Sequence, residues 1–171
     1  TIQECVFPLT QGCTNKPDYE QQRGIPERRY IAHVSEGIDA VSLSEFGRFF
    51  DEGQLGPKTS IIHCVSCTGR EFSVMRASDA SLVWSPQSNI ELYGQTADIP
   101  TALNMGINVA LGPDWTPSGT MNQLAEMKCA ARLSTQYFGG RISDQQIVQM
   151  VTSNAARAIG VSDLIGSLRE G

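Results

Sequence analysis

The sequence predicts an α/β chain built from parallel strand–helix units. Three observations carry this. Short, nearly continuous apolar runs of strand type alternate with stretches of helical period. The ends of the strand runs fall at fairly even intervals, and polar residues capable of chemistry sit at or just past those ends. From His33 to His63 is 30 residues, from His63 to Trp84 is 21 and from Trp84 to Leu111 is 27, against roughly 31 for one unit of an eight-fold β/α barrel. Four such units fit either part of a barrel or a small doubly wound sheet, and the count alone leaves both open.

Residues 1–27 carry Pro8, Gly12, Pro17, Gly24 and Pro26 and no sustained period. They read as an irregular lead-in with a short helix around 19–22, ahead of a folded segment over 28–171. The first strand run is 30–34. A helix follows over 42–51, with Leu43, Phe46, Phe49 and Phe50 on one face and Gly53 as its stop. The second unit is a strand over 60–64 and a helix over 70–77. The third is a strand over 81–84, then Pro86, a polar stretch, and a helix over 99–105 with Pro100 in its first turn. The fourth is a strand over 107–111, a Gly112-Pro113-Asp114 turn and a long helix over 121–137. A last helix is expected over 143–159, with Ser143 as N-cap, Gln146 as capping-box partner and Gly160 at its end.

Composition narrows the function classes. The 171 residues carry a net charge of −5, with no basic run for a nucleic-acid backbone and no polybasic membrane patch. Hydrophobic residues make up 40% and charged ones 18%, which suits a folded globular chain. The apolar runs are too short for a spanning helix. No basic and apolar leader opens the chain, so a cytoplasmic location is expected. The five cysteines (Cys5, Cys13, Cys64, Cys67 and Cys129) form an odd set with one C-x-x-C pair and no second pair. Reduced thiols are therefore expected, rather than a zinc knuckle or a disulfide framework. No glycine-rich loop follows the first strand, which counts against nucleotide binding.

The chain has only two histidines, and His33 and His63 both fall at the C-terminal end of a strand run, where α/β folds place their chemistry. Asp114 lies at the same level of the fourth strand. Glu36 follows His33 by three residues. A neutral imidazole ligates divalent metal, and a nearby carboxylate shuttles protons from activated water. Tyr30, Trp84 and Trp115 either line a pocket for a flat heterocycle or simply pack.

These segments, taken in order, resemble the C-terminal half of a metal-dependent amidohydrolase, of the branch of cytosine and guanine deaminases and triazine chlorohydrolases. The matching stretches are His33-Val-Ser-Glu36, Ile62-His63-Cys64, Ser85-Pro86-Gln87-Ser88-Asn89 with Leu92 and Gly94, and Gly106 through Asp114 with Ser118. They continue with Asn122 through Glu126-Met127 to Ala131, and Val151 through Ala156 to Gly171. The resemblance covers residues 30–171. It implies strands 5 to 8 of a TIM-type (β/α)8 barrel, with His33 and Asp114 as metal ligands. Glu36 would be the proton shuttle, and His63 would polarise the substrate or stabilise developing charge. Asp114 would also take a proton from the attacking water. Ser88 and Asn89, with Trp84 and Trp115, are the candidate substrate-binding residues.

The reaction so implied is hydrolytic displacement at an amidine-like or aryl carbon of a heterocyclic substrate, releasing ammonia or another leaving group. The cofactor would be a divalent metal, zinc or iron. The family's first strand carries a His-x-His pair that this sequence lacks, and Gly112-Pro113-Asp114 replaces the usual Gly-Thr-Asp. The chain, opening on Thr1, is therefore expected to be a piece of a longer protein. Alone it would be inactive, with little or no metal bound. The partners expected are a small heterocycle and either a second copy of the chain or a complementing N-terminal half. A non-catalytic half-barrel that serves as a scaffold or assembly element is the alternative.

Overall fold

Five strands form one parallel sheet in the order β1-β2-β3-β4-β5: β1 (Ile2–Cys5), β2 (Arg29–Val34), β3 (Thr59–His63), β4 (Ser81–Trp84) and β5 (Asn108–Leu111). The coordinates are a computed structural model that describes residues 2–5, 29–168 and 170. Each strand pairs with the next in sequence, with Ala32 beside Ile61 and Leu82 beside Val109. This winding never reverses, as it must at the switch point of a doubly wound sheet. The barrel alternative left open by the strand count is the one observed.

The lead-in expected to be irregular contributes a strand, since Ile2–Cys5 adds to the sheet beside β2. Four residues bounded by Pro8 gave too short a signal to register as a run. The helix expected around 19–22 lies outside the described residues.

Seven helices follow the strands among the described residues. They are α1 (Ala40–Asp51), α2 (Gly69–Ala77), α3 (Pro86–Tyr93), α4 (Ile99–Asn104), α5 (Gln123–Gln136), α6 (Asp144–Val151) and α7 (Ser153–Ile159). Five of the seven starts are set by side-chain caps. The Asp39 carboxylate accepts from the Ser42 amide at 2.8 Å, Thr68 and Glu71 form a capping box, and Asn122 accepts from the Ala125 amide at 3.0 Å. Phe46 and Phe49 bury one face of α1, and Phe49 stacks on Tyr30 with ring centroids 5.9 Å apart.

Two helices depart from expectation. The polar stretch after Pro86 is helix α3, because proline at the first helical position gives up an amide that has no partner there anyway. The helix expected over 143–159 breaks at Thr152, whose φ of −122° and ψ of −99° are not helical. Its start is as expected, with Ser143 and Gln146 in a reciprocal box, and Gly160 ends the second piece at φ 76°.

Helix α7 crosses the N-terminal end of the sheet. The Ser60 hydroxyl donates to the Ala158 carbonyl at 3.0 Å, and the Asn108 amide donates to the Asn154 carbonyl at 3.0 Å. Asn154 in turn donates to the Val109 carbonyl. The opposite, C-terminal end is thereby left to the loops. No described helix is long and apolar enough to cross a membrane.

One pair corrects the reduced-thiol expectation, Cys129 meets it, and the Cys5 and Cys13 side chains lie outside what is described. Cys64 and Cys67 form a disulfide with their Cα atoms 5.1 Å apart. The C-x-x-C spacing alone did not decide this. What does is the turn just past β3, where the Cys67 amide donates to the Cys64 carbonyl at 3.2 Å and draws the two side chains together. Cys129 is a buried free thiol.

Replacing Ser143 with Ala removes one cap of α6. It is expected to cost about 1 kcal/mol, a fall of roughly 2–4 °C in Tm for a domain of this size. A differential scanning comparison checks it, and an unchanged Tm would contradict it.

Candidate active site

The site begins in the backbone at the C-terminal ends of the strands. Among the described residues, five that are not glycine have positive φ, and four of them lie here: Ser35 at 56°, His63 at 73°, Cys64 at 51° and Asp114 at 61°. Such a backbone costs of order 1–3 kcal/mol per residue and persists only where surrounding contacts hold it. The contacts are visible. The buried Glu45 carboxylate accepts the Ser35 amide at 3.0 Å, and the Cys64 amide donates to the Val34 carbonyl at 3.2 Å. At the third site, Gly119 lets its loop fold onto Pro113, for a Cβ there would land on the Pro113 carbonyl.

These turns bring His33, His63 and Asp114 together, with one potential ligand atom from each lying within 4.8 Å of the others. The imidazoles of His33 and His63 are tilted by 44° at a centroid distance of 5.1 Å. His63 is fully buried, and its Nε2 lies 3.6 Å from Glu36 Oε1 and 3.9 Å from Asp114 Oδ2. No group among the described residues hydrogen-bonds that nitrogen. A buried polar atom without a partner marks a place made for something the chain does not itself supply. Imidazole nitrogen and carboxylate oxygen together suit zinc or another first-row divalent ion.

Helix α3 reaches the site from outside. Its Asn89 is fully buried and its side-chain amide meets His63 Nδ1 at 2.9 Å, while the Tyr93 hydroxyl donates to Glu36 Oε1 at 3.1 Å. Ser88, also buried, donates to the Ser118 hydroxyl at 3.1 Å in the loop beyond Asp114. Ser85 provides no side-chain cap for this helix. The buried Glu126 of α5 takes that place, with one oxygen accepting the Gln87 amide at 3.0 Å and the other the Thr120 hydroxyl at 2.6 Å.

Burial sets the electrostatics. It pushes the His63 imidazole down from 6.5 to about 4, with the nearby His33 adding to the fall and Asp114 opposing it. His63 is therefore neutral near pH 7. Burial holds the Glu36 carboxyl above its ordinary value, against the opposing pull of the Tyr93 hydrogen bond. The Tyr93 phenol is raised by burial and by the Glu36 charge, so it stays protonated and donates. A cavity of about 270 Å³ opens beside these groups, lined by His33, Glu36 and Tyr93 on one side and by Asp39, Ser42 and Glu45 on the other.

The structure thus brings together His33, Glu36, His63, Asp114 and Asn89. It keeps Trp84 and Ser88 out of the cavity. Trp84 is fully buried and its indole N–H donates to Thr96 at 2.7 Å, so this residue packs rather than facing a ligand. Tyr30 packs as well, with its hydroxyl on Gln54. Trp115 is 68% exposed, one residue past Asp114. Sequence reasoning missed Tyr93, Thr96 and Glu126. Tyr93 stands four residues beyond Asn89, one helical turn on the same face, a signal that needed α3 to be recognised first.

The fold and site define a barrel-wound α/β chain with a nitrogen and oxygen ligand set at its strand ends. The amidohydrolase family model matches residues 21–171, and the chain belongs to that family. It is 31% identical over 150 residues to a 5-methylthioadenosine/S-adenosylhomocysteine deaminase of Teredinibacter turnerae, covering 83% of this chain and 34% of that one. It is 30% identical over 122 residues to an S-triazine hydrolase of Gordonia rubripertincta, covering 70% of this chain and 26% of that one. Among solved structures, an adenosine deaminase from Xanthomonas campestris with bound zinc superposes with a TM-score of 0.80 at 22% identity, over 92% of this chain and 39% of that one. Guanine deaminase of E. coli gives 0.78 at 23%, over 88% and 37%. At these identities the two structures show the fold, an amidohydrolase barrel of which this chain is a part. The chain spans about a third of the length of the first of these curated relatives and about a quarter of the second.

Two outcomes follow from this geometry. Between pH 6.5 and about 4 the unfolded chain takes up a proton at His63 that the folded chain excludes. Stability therefore falls as pH drops through that window, by roughly 3 kcal/mol at its acid end, and is independent of His63 above it. Urea unfolding above pH 6.5 and near pH 4 should show His63→Gln losing less on acidification than the native chain, and equal losses would refute the assignment. Gly119→Ala is expected to destabilise by about 1–3 kcal/mol through overpacking. In its NMR spectrum the Asp114 amide should move while that of Ala77, at the end of α2, stays in place.

Proposed function

We propose that the protein containing this chain is a metal-dependent hydrolase that displaces an amino group, or a comparable leaving group, from a nitrogen heterocycle. The observation that carries the reading is the convergence of His33, His63 and Asp114 ligand atoms within 4.8 Å, with Glu36 beside them. In this reading His33 and Asp114 are ligands to a divalent metal, zinc first and iron as the alternative. That metal would supply water whose pKa is lowered to about 7. Catalytic zinc takes at least three protein ligands, so the remainder come from outside this chain, through a complementing N-terminal half or a second copy. The edges of β1 and β5, each with a neighbour on one side only among the described residues, favour such pairing.

Glu36 carries the proton traffic. Burial raises its pKa above the ordinary carboxyl value, which favours the protonated form, and the Tyr93 hydroxyl fixes its orientation. Asp114 takes the proton of the attacking water. His63, neutral and buried, polarises the substrate atom that faces it. Trp115 is the candidate to cover a flat ring at the rim. The relatives' substrates, methylthioadenosine, S-adenosylhomocysteine and triazines by their names, mark the class to test first. A cytoplasmic location belongs to the same reading.

The test is ammonia or chloride release by the full-length, zinc-loaded protein over a panel of aminopurine nucleosides, aminopyrimidines and chlorotriazines. Glu36→Gln should lower kcat by about 10²–10⁴-fold. Turnover that survives it would overturn the assignment, and no turnover with any of the panel would favour a scaffold. The 171-residue chain alone should bind zinc weakly in equilibrium dialysis, and His33→Ala should abolish that binding. Tight stoichiometric binding that survives the substitution would refute the ligand set.

A further inference from the structure

We propose that His63 presents a protonated Nε2 to the site, and that a one-way hydrogen-bond chain from Trp84 through Thr96 and Asn89 sets this tautomer. The chain has a fixed direction because its first member can only donate. The Trp84 indole has an N–H and no acceptor, is fully buried, and gives its proton to Thr96 Oγ1 at 2.7 Å. With one lone pair so engaged, the Thr96 hydroxyl turns its own proton to Asn89 Oδ1 at 3.2 Å. An amide whose oxygen faces Thr96 turns its NH2 to the other neighbour, His63 Nδ1, at 2.9 Å. A neutral imidazole that accepts at Nδ1 carries its proton on Nε2.

The opposite orientation of Asn89 would bring two donors, the indole and the amide, onto Thr96 Oγ1. The Thr96 proton would then lack an acceptor in a pocket where that residue is 7% exposed, for Asn89 and Trp84 are its only side-chain partners among the described residues. Leaving a buried donor unmade costs about 1–3 kcal/mol, enough to hold the amide one way. Asn89, Thr96 and Trp84 are thus positioning residues that act through His63.

The consequence lies at the far nitrogen. Nε2 is buried, has no hydrogen-bond partner among the described residues and faces the carboxylates of Glu36 and Asp114 at 3.6 and 3.9 Å. Carrying a proton, it has no lone pair for a metal. His63 therefore stands apart from His33 and Asp114 although the three lie together. It is a donor awaiting an acceptor, such as a ring nitrogen or a carbonyl oxygen. That the acceptor belongs to a heterocyclic substrate rests on the function proposed above, whereas the tautomer does not.

The experiment is a long-range ¹H–¹⁵N correlation of the 171-residue chain labelled at histidine, near neutral pH and without metal. His63 should show a protonated Nε2 and an unprotonated Nδ1. Thr96→Ser keeps the hydroxyl and should keep that pattern. Thr96→Val frees the amide to reverse and should move His63 toward the Nδ1–H form. Asn89→Asp, which places an acceptor against Nδ1, should move it fully there. An Nδ1–H form in the native chain would overturn the proposal, as would an unchanged pattern in both Thr96→Val and Asn89→Asp. Neither metal nor substrate enters the measurement, so its failure is separate from failure of the hydrolase reading. Loss of turnover with the tautomer intact would sink that reading alone.

Discussion

The contact between Asn89 and His63 Nδ1 ties the site to the scaffold, and much of the local structure exists to hold it. His63 stands at the end of β3 in a left-handed backbone conformation, with its imidazole turned under the loops. The partner comes from α3, the helix after the next strand, so the distance between two barrel units sets where the imidazole is held. That helix is anchored in turn by Glu126, whose carboxylate caps its first free amide from α5. The same carboxylate holds Thr120, in the loop that leads away from Asp114. One buried acid thereby couples the supports of His63 and Asp114, and the Ser88–Ser118 bond repeats the link. Burial raises the pKa of Glu126, as expected for a carboxyl valued here for its geometry rather than its charge.

Much of the barrel was legible because its strands are buried on both faces. Such strands read as continuous apolar runs, and β2, β3, β4 and β5 all lie within a residue or two of their expected bounds. The ends of those runs also exposed His33, His63 and Asp114, since polar residues are conspicuous just past an apolar stretch. What failed to show had weak local signals. Helix α3 has little amphipathic contrast, because the side it turns inward carries Ser88 and Asn89. Its polar residues are buried to make hydrogen bonds, and a pattern that sorts residues by hydropathy passes over them. The break at Thr152 is a tertiary effect: α7 turns across the strand starts to meet Ser60 and Asn108.

Trp84 shows how burial changes a reading. From sequence, an aromatic residue at a strand end competes equally as pocket wall and as core. Its full burial decides for the core, and its indole nitrogen then needs an acceptor. Thr96 supplies one, and the need of a packing residue becomes the origin of a directed chain that ends on an active imidazole. Core and site are continuous here, which is why no period or motif points to Thr96.

The three turns that hold the four left-handed residues follow the same logic from the backbone side. A residue at a strand end in ordinary extended geometry sends its side chain alternately to the two faces of the sheet. His63, Ser35 and Asp114 instead turn sharply where the strand stops. Their contacts supply what the turns cost, through Glu45 under Ser35, the Val34 carbonyl under Cys64 and the space left by Gly119 beside Pro113. The Cys64–Cys67 bridge belongs to this set, since it closes the turn that begins at His63. Its loop also reaches the first turn, where the Ser66 amide donates to the Ser35 carbonyl at 3.3 Å. The turn after β2, at Ser35, and the turn after β3, at His63, are therefore held by one another. The geometry that brings two imidazoles within 5.1 Å is a property of the paired loops, and neither strand would produce it alone.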